Sequence, residues 1–259
     1  MKNRLLFRYT IAISGLFMLI LFAGYTAGYR LGAGLVLTRE QEVIITNIPN
    51  DAKIFSDYAL RTGILNNTIS ISLIPGNHML LASAKGYWPW KYMVTVPESK
   101  SITVRAFLIP RVPKGKILNG NERLLAKKKI ASVVLPTPAQ PLTFTNECMS
   151  LATSGNQVIA TPLPPSSSCT PPPYLCSKNT CSPTIIFSSA KKITGLIPYP
   201  GRDDAILIEI GNTIYALSID PRAPRTFAPL LKGISPRMAQ GKDNTLFVQD
   251  EKTIYQLTL

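Results

Sequence analysis

LIPGNHMLLASAKGYWPWKY, residues 73–92, begins a segment that alternates turns with short strands and continues to Arg111. Pro75-Gly76-Asn77 predicts a turn, because proline fixes φ while glycine and asparagine tolerate positive φ. Beyond the aromatic residues, two runs alternate apolar and polar side chains, from Tyr92 to Val96 and from Ile102 to Leu108. A period of two is typical of half-buried strands. The segment therefore predicts a small antiparallel β-domain.

The motifs in and before this segment follow an order that is similar to a known family. Ile48-Pro49-x-x-Ala52 comes first, and the strands end in Leu108-Ile109-Pro110. Between them lie Leu73-x-Pro75-Gly76-x-His78 and Lys85-Gly86-Tyr87-x-Pro89-Trp90. This order resembles the PEGA domain, a small β-sandwich of bacterial and archaeal envelope proteins that often follows a membrane anchor. The resemblance covers residues 42–111 and implies a non-enzymatic surface module that contacts envelope or polysaccharide material.

Two positions depart from the family pattern. Pro49-Asn50-Asp51-Ala52 keeps two of the four namesake residues, Pro-Glu-Gly-Ala. Thr62-Gly63-Ile64 stands where the family often has Gly-Thr-Pro before the third strand. The expected fold is unchanged, but nothing is carried over to the loop between the second and third strands.

The N-terminal segment predicts a membrane anchor. No charged residue lies between Arg8 and Arg30, and about 20 helical residues cross the hydrocarbon core of a bilayer. Lys2, Arg4 and Arg8 precede the apolar run, so the positive-inside rule places the N-terminus in the cytoplasm. A cleaved signal peptide is the main alternative, but Tyr25 stands where a small residue is needed for cleavage. A buried soluble helix is the weaker alternative, since it would carry polar periodicity.

The balance of charge argues against a nucleic-acid binder. The net charge is +14, but only 16% of the residues are charged, and the chain carries no recognisable nucleic-acid-binding motif. The basic residues are scattered, and the densest run is Lys127-Lys128-Lys129, within a basic linker or short helix at 112–130. The positive excess favours anionic lipid headgroups or an anionic envelope polymer, or it serves solubility alone.

A repeat runs through residues 131–259. Thr213-Ile-Tyr-Ala-Leu-Ser-Ile219 aligns with Thr253-Ile-Tyr-Gln-Leu-Thr-Leu259, 40 residues later, and Gly155-Asn156 aligns with Gly211-Asn212, 56 residues later. Each unit predicts a β-hairpin, and a period near 40 is typical of propeller blades. Three units are too few for a closed ring, so the pattern predicts a partial, blade-like antiparallel domain. An ordinary β-sandwich with similar hairpins is the alternative.

All four cysteines lie in this half: Cys148, Cys169, Cys176 and Cys181. Three of them belong to a Pro/Ser/Cys-rich insert at 162–183, and their spacing lacks the paired Cys-x-x-Cys of a zinc ribbon. Behind an export anchor, an even number of cysteines in an irregular loop predicts two disulfides. Three pairings remain open.

Three aromatic residues are the candidate ligand-binding residues: Tyr87, Trp88 and Trp90. Flat rings pack against the apolar faces of sugars, but the core of a small sandwich also needs large rings. We favour the core for Tyr87 and Trp90. In a regular strand Trp88 points the opposite way, which makes it the better candidate for a ligand.

Catalytic and cofactor motifs are not found in the sequence. His78 is the only histidine, so a two-histidine metal site within one chain is impossible, and a hydrogen-bonded turn residue is its simplest interpretation. There is no Gly-x-Ser-x-Gly elbow and no phosphate loop. Asp203-Asp204 has the carboxylates that a glycosidase needs, but adjacent turn residues usually point apart, which favours a solvated turn. We predict no enzyme, no cofactor and no metal site.

Together these patterns predict a mainly β bacterial envelope protein. Its parts are a cytoplasmic tail at 1–8, a transmembrane helix and stalk at 9–37, a PEGA-like β-sandwich at 42–111, a basic linker at 112–130 and a blade-like β-domain at 131–259. The predicted function is binding or scaffolding outside a membrane that the chain crosses once, with an envelope polysaccharide or a surface protein as partner. A sensor or assembly subunit that docks a protein through the C-terminal domain is the alternative. A polysaccharide-processing enzyme is the third, and it requires convergent carboxylates.

Overall fold

The computed structural model describes residues 2–31, 37–164, 169–177, 180–242 and 244–259, with only the backbone described for 2–12, 31 and 37. The fold is mainly β, as predicted, with 50% of residues in strands and 12% in two helices. The chain divides into two units. Unit 1 comprises Met1–Ala82 and Met93–Ala106, and unit 2 comprises Ser83–Tyr92 and Phe107–Leu259.

The N-terminal segment of unit 1 differs from the predicted tail, membrane helix and stalk. Helix α1 covers Lys2–Thr26, so residues 2–8 belong to the helix. The helix ends before Gly28, whose φ of +83° is the left-handed conformation that commonly terminates helices. Strands β1 (Tyr29–Leu31) and β2 (Leu37–Arg39) then pair antiparallel, so the stalk is wrong at these residues, and 32–36 lie outside the described residues. Among the residues that are described, no helix is long and apolar enough to cross a membrane, and the predicted transmembrane helix at 9–37 is not supported.

The rest of unit 1 is a sandwich-like pair of sheets. Its strands are β3 (Gln41–Thr46), β4 (Lys53–Ser56), β5 (Ala59–Arg61), β6 (Ile69–Leu73), β7 (Gly76–Ser83), β8 (Trp90–Val96) and β9 (Ile102–Arg105). One sheet has the order β6-β3-β9 and the other β5-β4-β7-β8. Buried and exposed side chains alternate along β6 and β7, as predicted for half-buried strands. The prediction of a wholly antiparallel domain is wrong at one pair, since β3 and β9 are parallel.

A tight turn between β4 and β5 is tied to β7 by hydrogen bonds. Asp57 and Tyr58 have φ of +48° and +67°, a conformation that asparagine and aspartate tolerate better than most residues. The Asp57 carboxylate accepts the Met79 N–H at 3.0 Å and is hydrogen-bonded to His78 Nδ1. His78 Nε2 donates to the Ile74 carbonyl at 2.7 Å. His78 is therefore a hydrogen-bonded residue beside a turn, as predicted.

Replacing Asp57 separates the role of its carboxylate from that of its backbone. We expect Asp57→Ala to lower the free energy of unfolding by about 2 kcal/mol, because the buried His78 loses a partner and alanine is strained at positive φ. Asp57→Asn keeps an oxygen acceptor and tolerates the turn, so it should cost less than about 1 kcal/mol. Urea unfolding of the two variants measures this difference, and equal losses would contradict it.

The pH dependence of the Asp57 contribution has a defined sign. Burial raises the pKa of Asp57, but the hydrogen bonds from His78 and Met79 outweigh burial and hold the pKa below its ordinary value of 3.8. The stabilisation is thus present above pH 3.8 and is lost as the pH falls through the lowered pKa. Wild type should lose its advantage over Asp57→Asn in acid.

Unit 2 contains three four-stranded antiparallel sheets, a helix and a small hairpin. The first sheet has the order β11 (Leu142–Phe144), β12 (Met149–Ser154), β13 (Gln157–Pro162) and β16 (Thr184–Ser188). The second has β17 (Ile193–Pro198), β18 (Ala205–Ile210), β19 (Thr213–Ser218) and β20 (Phe227–Lys232). The third has β10 (Lys114–Ile117), β23 (Thr253–Thr258), β22 (Thr245–Asp250) and β21 (Pro236–Gln240). Helix α2 covers Gly120–Ala131, and the small hairpin joins β14 (Cys176–Ser177) to β15 (Thr180–Cys181).

The predicted hairpin repeat is confirmed. Hairpin β18–β19 begins at Ala205 and hairpin β22–β23 at Thr245, 40 residues apart, and β12–β13 has the same strand lengths. Each of the three hairpins turns through two residues, and the first has positive φ in every case: Gly155, Gly211 and Glu251. The linker prediction at 112–130 is confirmed for its short helix but missed strand β10, which pairs antiparallel with β23 and completes the third sheet.

Apolar contacts and two buried polar side chains hold these sheets together. The main core packs residues of the first sheet, such as Leu151 and Val158, with Ile208 and Leu217 of the second. Helix α2 packs Ala126 and Ile130 against Ala239 and Ile254 of the third sheet. Arg225 donates to the carbonyls of Ser218 and Ile186, which joins the second sheet to the first. Glu209 accepts the Met238 N–H at 2.8 Å, which joins the second sheet to the third.

Candidate functional site

The three predicted aromatic residues lie in unit 2 and differ in exposure. Trp90 is buried and stacks on Tyr92 with ring centroids 5.5 Å apart. Trp88 is half-buried, its indole N–H donates to the Pro229 carbonyl at 3.0 Å, and the Arg111 guanidinium lies 4.7 Å above its ring. Half-buried Tyr87 accepts Arg111 Nε–H at its carbonyl oxygen. A ligand that stacks on the covered face of Trp88 would have to displace Arg111.

A second surface of unit 2 gathers four carboxylates, which we call the carboxylate surface: Glu147, Asp203, Asp204 and Asp220. Glu147 lies in the turn before β12, the two aspartates lie in the turn between β17 and β18, and Asp220 follows β19. All four are partly exposed. The turn between β17 and β18 is tied to the end of β19, because the Ile219 N–H donates to the Asp204 carbonyl at 3.0 Å.

Three of these carboxylates have hydrogen-bond donors beside them. Arg202 forms a bidentate pair with Asp204 at 2.7 and 2.6 Å, and Arg222 forms a similar pair with Asp220. Asn146 Nδ2 donates to Asp203 at 3.1 Å. Among the described residues, no donor is bonded to the Glu147 side chain. Glu147 is thus the carboxyl group that a ligand can reach without breaking an existing bond.

The electrostatics of the surface follow from this crowding. Burial raises the pKa of Glu147, and the negative charges of Asp203, Asp204 and Asp220 raise it further. Burial likewise raises the pKa of Tyr92 and Tyr174, and Asp220 is the next largest cause for both. Both hydroxyl groups therefore stay protonated, and they remain hydrogen-bond donors at neutral pH.

Two disulfides fix the chain next to this surface. Cys148 pairs with Cys169 and Cys176 with Cys181, with Cα atoms 5.5 and 3.9 Å apart, so two disulfides are confirmed and one of the three open pairings is selected. Cys148 directly follows Glu147. Tyr174 lies between Cys169 and Cys176, in a 3₁₀ helix at Pro173–Leu175. Residues 165–168, 178 and 179 of the insert lie outside the described residues.

The chain matches no protein-family model, and no curated protein matches it significantly. The PEGA and propeller resemblances therefore remain predictions. Function has to be argued from the side chains themselves.

The sequence interpretation of Asp203-Asp204 was incomplete. The two residues do lie in a turn and point to different partners, but those partners make them part of a charged surface rather than an isolated solvated turn. Glu147 and Asp220 were not recognised, because both lie far from Asp203 in the chain. The one available signal was the position of Glu147 beside a cysteine predicted to be in a disulfide.

The carboxylate surface can hydrogen-bond a polar ligand. Carboxylate oxygens accept hydrogen bonds from hydroxyl and amine groups, and the arginines and tyrosines donate. Tyr92 and Tyr174 add ring faces, which pack against the apolar face of a sugar. Within the described residues, no group of three or more His, Cys, Asp or Glu side chains is placed to hold a metal ion.

Proposed function

We propose that this chain is a non-enzymatic binding or scaffolding protein of a bacterial cell envelope. The observation that carries the proposal is the pair of disulfides, because disulfides persist in oxidising compartments outside the cytoplasm and are rare within it. In this proposal, unit 1 is a PEGA-like module and unit 2 is a partial propeller with three blade-like sheets. The 40-residue hairpin repeat and the completion of the last sheet by β10 support the propeller interpretation.

The proposed ligand is an envelope glycan that binds to the carboxylate surface. Its hydroxyl groups would donate to Glu147, and the ring faces of Tyr92 and Tyr174 would pack against sugar rings. The disulfides support this assignment, since they hold the backbone on both sides of Tyr174 and directly after Glu147. A surface that is held in place before binding loses less conformational entropy when the ligand arrives.

The compartment is tested by the thiol state of the protein taken directly from its native cells. Alkylation without reductant, followed by mass spectrometry, should find all four cysteines unmodified and linked as Cys148–Cys169 and Cys176–Cys181. Four alkylated cysteines would contradict the proposed compartment.

The ligand is tested by co-sedimentation of the full chain with purified peptidoglycan and other insoluble envelope polysaccharides. Glu147→Gln should weaken binding about tenfold or more, because a hydrogen bond to a charged group is worth about 1.5–3 kcal/mol. Glu251→Gln is the matched control, since Glu251 is an exposed glutamate of the same unit, and it should leave binding unchanged.

Two outcomes of this experiment would contradict the proposal. Equal binding by wild type and Glu147→Gln would mean that the carboxylate surface is not the binding site. Release of soluble sugar by wild type, but not by Glu147→Gln, would instead show an enzyme in which a protonated Glu147 acts beside ionised carboxylates.

Docking of a protein partner is the second candidate function. It is favoured by an aromatic cluster of unit 2 formed by Phe187, Tyr215 and Phe227, in which Phe227 lies 4.8 Å from Tyr215 and 5.3 Å from Phe187. Phe227 is 44% exposed, and it lies on β20, while Phe187 lies on β16. Both strands are at the edge of their sheets, where another chain can pair. Loss of a co-purifying protein in Phe227→Ser, with peptidoglycan binding intact, would favour this function.

A further inference from the structure

Helix α2 buries only one side. Ala126 and Ile130 pack against the third sheet of unit 2, and Arg123 donates to the Lys252 carbonyl at 2.9 Å. Leu124 and Leu125, on the other side, are 66% and 70% exposed. A helix that covers a sheet ordinarily has polar residues on its outer face, so two adjacent exposed leucines call for an explanation.

The exposed leucines lie among cations. Lys128 is four residues after Leu124 and Lys129 four after Leu125, which makes each pair neighbours on the helix surface. Residues 112–131 contain six Lys and Arg side chains and a single acidic one. That acid, Glu122, pairs with Lys116 at 3.0 Å, so Lys127, Lys128 and Lys129 remain as exposed positive charge.

We propose that the outer face of α2 docks on an anionic phospholipid bilayer and lies in the plane of its headgroups. We call Leu124, Leu125, Lys127, Lys128 and Lys129 the docking face. The leucines enter the boundary of the acyl chains while the lysines reach the lipid phosphates, which is the arrangement of interfacial amphipathic helices. An acidic soluble polymer would be held by the lysines alone and would leave the leucines in water. The leucines therefore favour lipid over polymer.

The test places an environment-sensitive fluorophore on the docking face of the full chain. The four native cysteines are paired, so Leu125→Cys provides a single free thiol for labelling without reductant. Ile234→Cys is the matched control, because Ile234 is equally exposed at 70% and lies in unit 2 outside α2. The labelled proteins are mixed with vesicles of phosphatidylcholine, with or without about 30 mol % phosphatidylglycerol.

We expect the label at 125 to brighten and shift to the blue with anionic vesicles, and the label at 234 to stay unchanged. Lys128→Gln with Lys129→Gln should raise the vesicle concentration needed for half of this response about thirtyfold. Lys191→Gln with Lys192→Gln removes the same charge from another exposed pair of the unit and should leave the response unaltered. Added salt should weaken the response, since it screens the lipid charge.

Three outcomes would overturn the proposal. The first is binding of the chain to anionic vesicles without a response at 125, which would assign membrane contact to another segment. The second is an equal response with neutral vesicles, which would mean that charge plays no part. The third is a response at 125 to soluble poly-glutamate but not to vesicles, which would identify an acidic polymer as the partner. Matching thermal melts of the variants exclude misfolding as the cause.

Discussion

Replacing Cys148 and Cys169 together by alanine is expected to lower the free energy of unfolding by about 3 kcal/mol. This disulfide closes a loop with a sequence separation of 21, and the cross-link reduces the conformational entropy of the unfolded chain. The same change frees the insert that carries Tyr174 from the start of β12, where Glu147 lies. We therefore also expect peptidoglycan binding to fall below detection.

The second disulfide is the internal control for this result. Cys176 and Cys181 are only five residues apart, so their replacement by alanine should cost about 2 kcal/mol, because a shorter loop loses less entropy on closure. Urea unfolding of both double variants, without reductant, measures the two losses. If the Cys176–Cys181 variant is the less stable of the two, loop entropy is not what these disulfides contribute.

The hairpins of unit 2 could be predicted because their signal is local. Gly211-Asn212 is a two-residue turn between strands of alternating pattern, and the glycine takes the positive φ that the turn requires. The same arrangement recurs around Gly155 and Glu251 at intervals that the sequence preserves. Turn residues and strand period therefore predict each hairpin without any knowledge of its neighbours.

Strand β10 could not be predicted in this way. Its sequence, Lys-Gly-Lys-Ile, has no apolar alternation, because all four residues are exposed at the outer edge of the third sheet. Its partner, β23, lies about 140 residues later and supplies the hydrogen bonds. A β10 edge with two lysines is also protected from pairing with other chains, which explains a composition that resembles a linker.

The carboxylate surface combined predictable and unpredictable parts. The cysteines predicted two disulfides, but only the folded sheets bring Asp220, at the end of β19, close to Glu147, at the start of β12. The ring stacking of Trp90 on Tyr92 agrees with the core interpretation of Trp90. At the N-terminus, an apolar run hid the change from helix to hairpin, because Gly28 alone marks it.

Glu209 provides the other large expected effect, because its carboxyl group is buried between two sheets. It is 3% exposed, and it lies opposite Gly195 on β17, where a Cβ would collide with the carboxyl group. Burial raises the pKa of Glu209 from 4.5 to about 7, against smaller lowering effects of the Met238 N–H, the Arg237 charge and the Thr194 hydroxyl. Ionisation of the carboxyl group in the folded protein is therefore costly.

The sign of the pH dependence follows from proton binding. Between pH 4.5 and about 7 the folded chain keeps a proton on Glu209 that the unfolded chain has released. The free energy of unfolding therefore falls as the pH rises through this window and is level above it. The raised pKa corresponds to a loss of about 3 kcal/mol across the window.

Glu209→Gln should remove this loss. Glutamine has nearly the same shape, stays neutral, and keeps an oxygen that accepts the Met238 N–H, so the variant should match wild type at pH 4.5 and exceed its stability by about 3 kcal/mol at pH 8. Urea unfolding at a series of pH values measures the difference, with Glu251→Gln as the exposed control that should follow wild type throughout. Glu209→Ala should instead be less stable at every pH, because it leaves the Met238 N–H without an acceptor and opens a cavity between the sheets. A constant gap between Glu209→Gln and wild type from pH 4.5 to 8 would mean that the carboxyl group titrates as an exposed one does, and that the contact with Met238 opens in solution.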